Sequence, residues 1–142
     1  MINDRYTEYA GYIQENPEYY LNKFSSMEVS GKQTSWNWAS FFFTDAWMLY
    51  RKMYKWFAIT FIVQILIGMF VPVLSICLHI LIGIFGNHLY KEHIQQLCTA
   101  GDLLPPDQKE SHRIKRGGTS TKAICAYLII SLVLTVIGYL PA

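Results

Sequence analysis

Charge is scarce in this chain, and the places where it is missing indicate the fold class. Only 15% of the 142 residues are Asp, Glu, Lys or Arg, against 52% hydrophobic, whereas charged residues make up about a quarter of an ordinary soluble domain. There is none from Trp56 to Phe85 and none from Ala123 to Ala142. A core helix of a soluble protein seldom runs beyond roughly 14 uncharged residues, while a bilayer span takes about 20. The length suits one domain, and the uncharged gaps imply an all-α integral membrane protein. The first residues, MINDRYTEYAGYIQ, lack the basic start and apolar run of a cleavable signal peptide. Cysteine is sparse as well. Cys77, Cys98 and Cys125 form no CxxC pair and two fall inside apolar segments, so they read as small reduced core residues and give little support to a disulfide or metal site. No nucleophile elbow, Walker loop, haem motif or carboxylate pair appears. No enzyme and no cofactor is expected.

What is present fixes the number and direction of the spans. Read as one helix, Trp56 to Tyr90 would be about 52 Å long, far beyond a hydrocarbon core of about 30 Å. Pro72 divides it, because proline removes a backbone donor and disfavours helix in the residue before it. The expectation is a transmembrane hairpin over 56–90 with its tip near Pro72 and a third transmembrane helix over 123–142. The basic residues agree with this. Arg5, Lys23, Lys32, Arg51, Lys52 and Lys55 lie before the hairpin; Lys91, Lys109, Arg113, Lys115, Arg116 and Lys122 follow it, and these are all 12 Lys and Arg. Positive flanks stay cytoplasmic, so two crossings must separate them. The N-terminus is then inside and the C-terminus outside.

Residues 1–34 read as a cytoplasmic amphipathic segment. Asn16-Pro17-Glu18 is a helix start with Asn as N-cap, followed by Tyr20, Leu21, Phe24 and Met27 at helical spacing, and Ser30-Gly31-Lys32 is a turn. Residues 35–55 hold WNWASFFFTDAWMLYRKMY, an interfacial aromatic segment leading into the first span. Here Ser35 can cap a short helix over 36–43, with its Phe side chains wedged against the hairpin. Thr44 or Asp45 then caps a second helix that carries Trp47 and Tyr50 in the headgroup zone. Residues 91–122 form a cytoplasmic basic loop, irregular in its first half around Pro105-Pro106. Gly117-Gly118 is its stop, and Thr119 or Ser120 caps the last span.

The strings NPEYYLNKF at 16–24, TSWNWASFFFTDAWMLYRKMY at 34–54, GNHLYKEHI at 86–94 and RGGTS at 116–120 resemble the bacterial family of domain of unknown function 2628. One departure is Thr44-Asp45, where relatives typically carry Gly-Pro. The resemblance implies a small multi-pass protein of the bacterial inner membrane, and brings no reaction, substrate or partner.

Two sets of residues are candidate sites. Gln64, His79 and Ser131 are polar residues placed at similar depth in three spans; such groups normally turn inward and hydrogen-bond between helices, and an ionisable one is a functional candidate. No acid in the spans accompanies His79. The aromatic and basic residues Trp36, Trp38, Trp47, Arg51, Lys52, Lys55, Arg113, Lys115 and Arg116 are placed to meet lipid headgroups, with Arg51, Lys52 and Lys55 snorkelling to the cytoplasmic side. His88, Glu92 and His93 miss zinc spacing by one residue, although His88 and Glu92 can pair along a helix. Gly68, Gly83 and Gly86 can admit a close helix. The expected partners are the lipid bilayer and a membrane protein or a second copy of the chain; nucleic acid is not expected, because the basic residues hug the membrane. The leading functional expectation is an accessory, regulatory or immunity-like subunit of a membrane assembly. The alternative is an oligomeric pore or small transporter using Gln64, His79 and Ser131.

Overall fold

The structure, a computed structural model, describes residues 2–71 and 73–139, and among them every regular element is helical. In chain order these are α1 (Ile2–Ile13), α2 (Pro17–Ser30), α3 (Trp38–Phe42), α4 (Thr44–Tyr50), α5 (Tyr54–Phe70), α6 (Leu74–Asp102), α7 (Pro106–Arg116) and α8 (Thr121–Tyr139).

The polar half of the molecule is built on an aromatic core. The helical spacing of Tyr9, Tyr12 and Ile13 in α1 and of Tyr20, Phe24 and Met27 in α2 turns these residues onto one stripe, where all six are buried. They meet Tyr90, Ile94 and Cys98 of α6, which recur every fourth residue and so share one face. The rings pack edge to face, with Tyr20 and Tyr90 at 4.7 Å between centroids. Pro17 opens α2, and Gly31 ends it in the left-handed conformation (φ 66°) that glycine adopts without penalty. Asn16 does not act as the expected cap: its backbone is itself left-handed and its side chain makes no capping bond. The α1–α2 link bends at Gln14 and Asn16, both at positive φ.

α6 runs 29 residues, to Asp102, and so carries helix into the start of the stretch around Pro105-Pro106 that was expected to be irregular. The buried stripe Gly83, Asn87, Tyr90, Ile94, Cys98 and Gly101 keeps the helix going to Asp102. α7 then follows the Pro105 turn, again where irregular chain was expected at its start. Gly117 ends α7, and Ser120 Oγ accepts from Ala123 N at 3.2 Å, capping α8 as anticipated.

Two helical stretches are long and apolar enough to cross a membrane: Leu74–Asp102, and Pro106–Gly138 with its apolar window in α8. α5 is apolar but shorter, at 17 residues. α5 stops at Phe70 and α6 restarts at Leu74, so the break expected here is present; Pro72 itself and the chain end beyond Tyr139 lie outside the described residues.

Between these stretches lies the α3–α4 turn. α3 packs on α6, and α4 touches α5, α6 and α8. The chain enters beside Ile84, to whose carbonyl Ser35 N donates at 2.9 Å, and Asn37 N donates to Gly83 O at 2.8 Å. It leaves at residues 51–53, where Lys52 takes a left-handed φ of 56° and α5 begins.

Candidate functional site

The α3–α4 turn gathers the groups of greatest chemical interest in the structure. Its anchor is a buried pair of amides. Asn37 Nδ2 donates to Asn87 Oδ1 at 2.9 Å, and Asn87 Nδ2 donates to Ser35 Oγ at 3.1 Å. Asn37 Oδ1 accepts from Ser40 N at 3.1 Å, so Asn37 and not Ser35 caps α3. The approach is close because Gly83 and Gly86 face it: a Cβ on Gly86 would lie 2.8 Å from Ser40 Cβ, and one on Gly83 3.0 Å from Phe41 Cβ. Gly68 faces nothing within 4 Å and admits no helix. Of the three Phe, Phe41 is wedged against α6 as expected, whereas Phe42 and Phe43 are exposed.

Asp45, in the first turn of α4, was expected to serve as a cap. It makes no capping bond. Its carboxylate faces inward, accepting from Gln64 Nε2 of α5 at 3.1 Å and from the Tyr127 hydroxyl of α8 at 3.3 Å. Ser131 lies one turn along α8 from Tyr127, and His79 belongs to α6, which α4 also touches. His79 Nδ1 is 2.8 Å from Ser75 O of its own helix. The structure therefore joins Gln64 and Tyr127 through Asp45, whereas His79 bonds within its own helix. The sequence signal was present: Asp45 is the one acid in an aromatic stretch of nineteen residues. Its spatial partner Tyr127, 82 residues away, carried no such signal.

At the other end of α4 lies Arg51. It is 4% exposed, where a snorkelling side chain was expected. Its guanidinium carbon stands 4.5 Å from the Tyr20 ring centroid, 5.3 Å from that of Tyr90 and 5.5 Å from that of Tyr50. Nη1 donates to Glu15 O at 3.0 Å, while the buried Nε has no hydrogen-bond partner. Among the described residues no carboxylate pairs with it. Trp47, expected among headgroups, is buried beside it and donates from Nε1 to Tyr20 OH at 3.2 Å.

Lys52 turns away from solvent too. Its Nζ donates to Lys115 O at 3.1 Å and Gly117 O at 2.6 Å, placing a cation on the C-terminal carbonyls of α7, where the helix dipole favours one. Burial pulls its ammonium below the ordinary lysine value. Lys55 lies over the Trp56 ring at 5.7 Å, Arg113 pairs with Glu110, and Lys115 and Arg116 are exposed. Trp36 and Trp38 pack edge to face at 5.1 Å, with Trp38 exposed. His88 and Glu92 pair at 3.4 Å. Among the described residues no group of three His, Cys, Asp or Glu side chains could hold a metal ion.

No curated protein and no solved structure matches this chain. The family model of a protein of unknown function, DUF2628, matches residues 11–96. That stretch carries α2 through most of α6, and with them Asn37, Asp45, Arg51, Gln64, His79 and Asn87; Tyr127 and the α7–α8 arm lie beyond it. With more than half of its length matched, the chain belongs to the domain of unknown function 2628 family.

Proposed function

We propose that this is a small multi-pass protein of the bacterial inner membrane, crossing it three times with its N-terminus inside, and that it acts by interaction rather than as an enzyme. It would be an accessory, regulatory or immunity-like subunit of a membrane assembly. The length and apolarity of α6 and α8 support the membrane reading, as does the confinement of all 12 Lys and Arg to residues 1–55 and 91–122. α5, about 26 Å long, reaches the core thickness of about 30 Å only with its flanking residues. One observation carries the interaction reading: among the described residues, the only helix whose backbone α8 approaches closely is α4. α5, α6 and α8 do not close into a bundle, and Leu132, Leu134 and Ile137 stay exposed. The exposed face of α8 is where the span of another protein or of a second copy would pack. A photo-crosslinking amino acid at Leu134, introduced in living cells, should yield one discrete protein adduct. Adducts to lipid alone would contradict the reading.

The Asp45 cluster favours a second reading, an oligomeric pore or small transporter. Non-helical backbone and ionisable groups inside a bilayer mark ion paths, and the α3–α4 turn brings both between the apolar helices. Purified oligomer in proteoliposomes should then pass protons, and Asp45→Asn or His79→Ala should abolish the flux. No flux from the unsubstituted oligomer would dismiss this reading.

A further inference from the structure

Arg51 and its aromatic neighbours form one wall of a hollow of about 550 Å³. Tyr20 and Asn37 line it with Arg51, while Asn16, Tyr19 and Trp38 stand at its rim. A second hollow of about 430 Å³ adjoins it, since Ala39, Trp47 and Tyr50 belong to both. The further walls of the second are Phe43, Ile124 and Leu128, and it presents no polar surface. Phe43 and Leu128 are both more than half exposed, so this half opens on the flank of α8. A cationic chamber therefore lies beside a hydrocarbon one, with Ala39, Trp47 and Tyr50 as their common wall, and both are within the volume range of small-ligand sites.

We infer that this double hollow holds one phospholipid with an anionic headgroup, its phosphate against Arg51 and an acyl chain along Phe43, Ile124 and Leu128. Arg51 supplies the first reason. A buried guanidinium with an unpartnered Nε and no carboxylate beside it has donors unused, and a buried charge is stable only when paired and hydrogen-bonded. The rings of Tyr20, Tyr50 and Tyr90 stabilise the cation and the Tyr90 hydroxyl accepts from Nη1 at 3.5 Å, but none of them supplies a negative charge or reaches Nε. A phosphate supplies the negative charge and the acceptor oxygens, in the planar geometry that arginine binds best. The adjacency of the two hollows is the second reason. A free phosphate would leave the apolar half empty, and an uncharged hydrocarbon would leave Arg51 unpaired. An anionic amphiphile satisfies both, and the bilayer of the proposed location supplies one laterally. The site stands on the chain's lying in a membrane and not on which protein it joins.

The test is native mass spectrometry of the full chain, extracted from membranes in a nonionic detergent and offered four ligands. These are phosphatidylglycerol, phosphatidylcholine with the same chains, glycerol 3-phosphate and oleate. One phosphatidylglycerol per chain should be retained, about tenfold more tightly than phosphatidylcholine, whose phosphate is the same but whose trimethylammonium brings a positive charge beside Arg51. Arg51→Gln should erase that preference. Leu128→Trp, at an exposed position where folding is spared, should fill the apolar half and weaken phosphatidylglycerol retention several-fold. If Arg51→Gln does not fold, the lipid comparison and Leu128→Trp decide alone. Equal retention of the two phospholipids would overturn the inference, as would unchanged binding by Leu128→Trp. Glycerol 3-phosphate displacing the lipid at equal concentration would reassign the site to a soluble phosphate, and oleate bound as tightly as phosphatidylglycerol would reassign it to a fatty acid. A chain found in the soluble fraction would instead defeat the membrane reading.

Discussion

At the scale of single residues, the buried Asn37–Asn87 pair is the most demanding feature of the fold. Asn87 satisfies Asn37 and the Ser35 hydroxyl together, so its removal leaves several buried polar atoms without partners. Each unsatisfied group costs about 1–3 kcal/mol. Asn87→Leu is therefore expected to lower the stability of the folded protein in detergent by about 2 kcal/mol or more, read as a fall in thermal midpoint. Glu28 gives a pH dependence. Its carboxylate is held below the usual range first by the Lys91 ammonium, 2.7 Å away, and then by the Tyr6 hydroxyl. A depressed carboxylate stabilises the fold above its unfolded pKa, and that contribution is lost as pH falls through the folded value. With Glu28 37% exposed, the pair is worth at most about 1 kcal/mol. Acid titration should show this loss below about pH 4.5, the ordinary carboxylate range, and Glu28→Gln should remove it. At this scale Gln64, His79 and Ser131 stand out in the sequence against apolar neighbours, as does Asp45, but the bond from Gln64 to Asp45 was not legible. A Thr-Asp pair before a helix reads as a cap from local rules, and only the fold shows the carboxylate turned toward Gln64 and Tyr127.

At the scale of elements, the approach of α3 to α6 rests on two glycines. A Cβ on Gly86 would collide with Ser40, whose side chain is itself bound between Asn37 O and Ile82 O and cannot swing aside. Gly86→Ala should cost about 1–3 kcal/mol by overpacking, Gly83→Ala less, and Gly68→Ala almost nothing, since its surroundings are open. Circular dichroism melts of the three variants check the order. The break between α3 and α4 was legible in the sequence, and so was the break near Pro72. The second break, at Lys52, was not: nothing in Arg-Lys-Met announces a left-handed residue, and the conformation is held from a distance by the carbonyls at the end of α7 that Lys52 reaches. The long continuation of α6 was hidden by polar composition. Its buried face is one stripe of residues about four apart, and the remaining positions are largely polar because this half faces solvent.

At the scale of the whole molecule, the aromatic core of α1 and α2 and the apolar helices are one structure joined through α6. Tyr90 touches both the α2 rings and Arg51, so this core holds the α3–α4 turn in place from one end while α5 and α8 hold it from the sides. The count of basic residues on each flank is the basis of the proposed topology, whereas the exposed face of α8 depends on tertiary contacts that no local pattern records. The central claim is the three-crossing arrangement with the N-terminus inside. It is tested most directly by single cysteines in a chain with Cys77, Cys98 and Cys125 replaced: Val73→Cys at the hairpin tip, Lys32→Cys and Glu110→Cys in the basic segments, and one appended after Ala142. A membrane-impermeant maleimide applied to intact, outer-membrane-permeabilised cells should label the tip and the C-terminal cysteine, and reach positions 32 and 110 only after the inner membrane is opened. Labelling of Val73→Cys and Glu110→Cys from the same side would contradict the account.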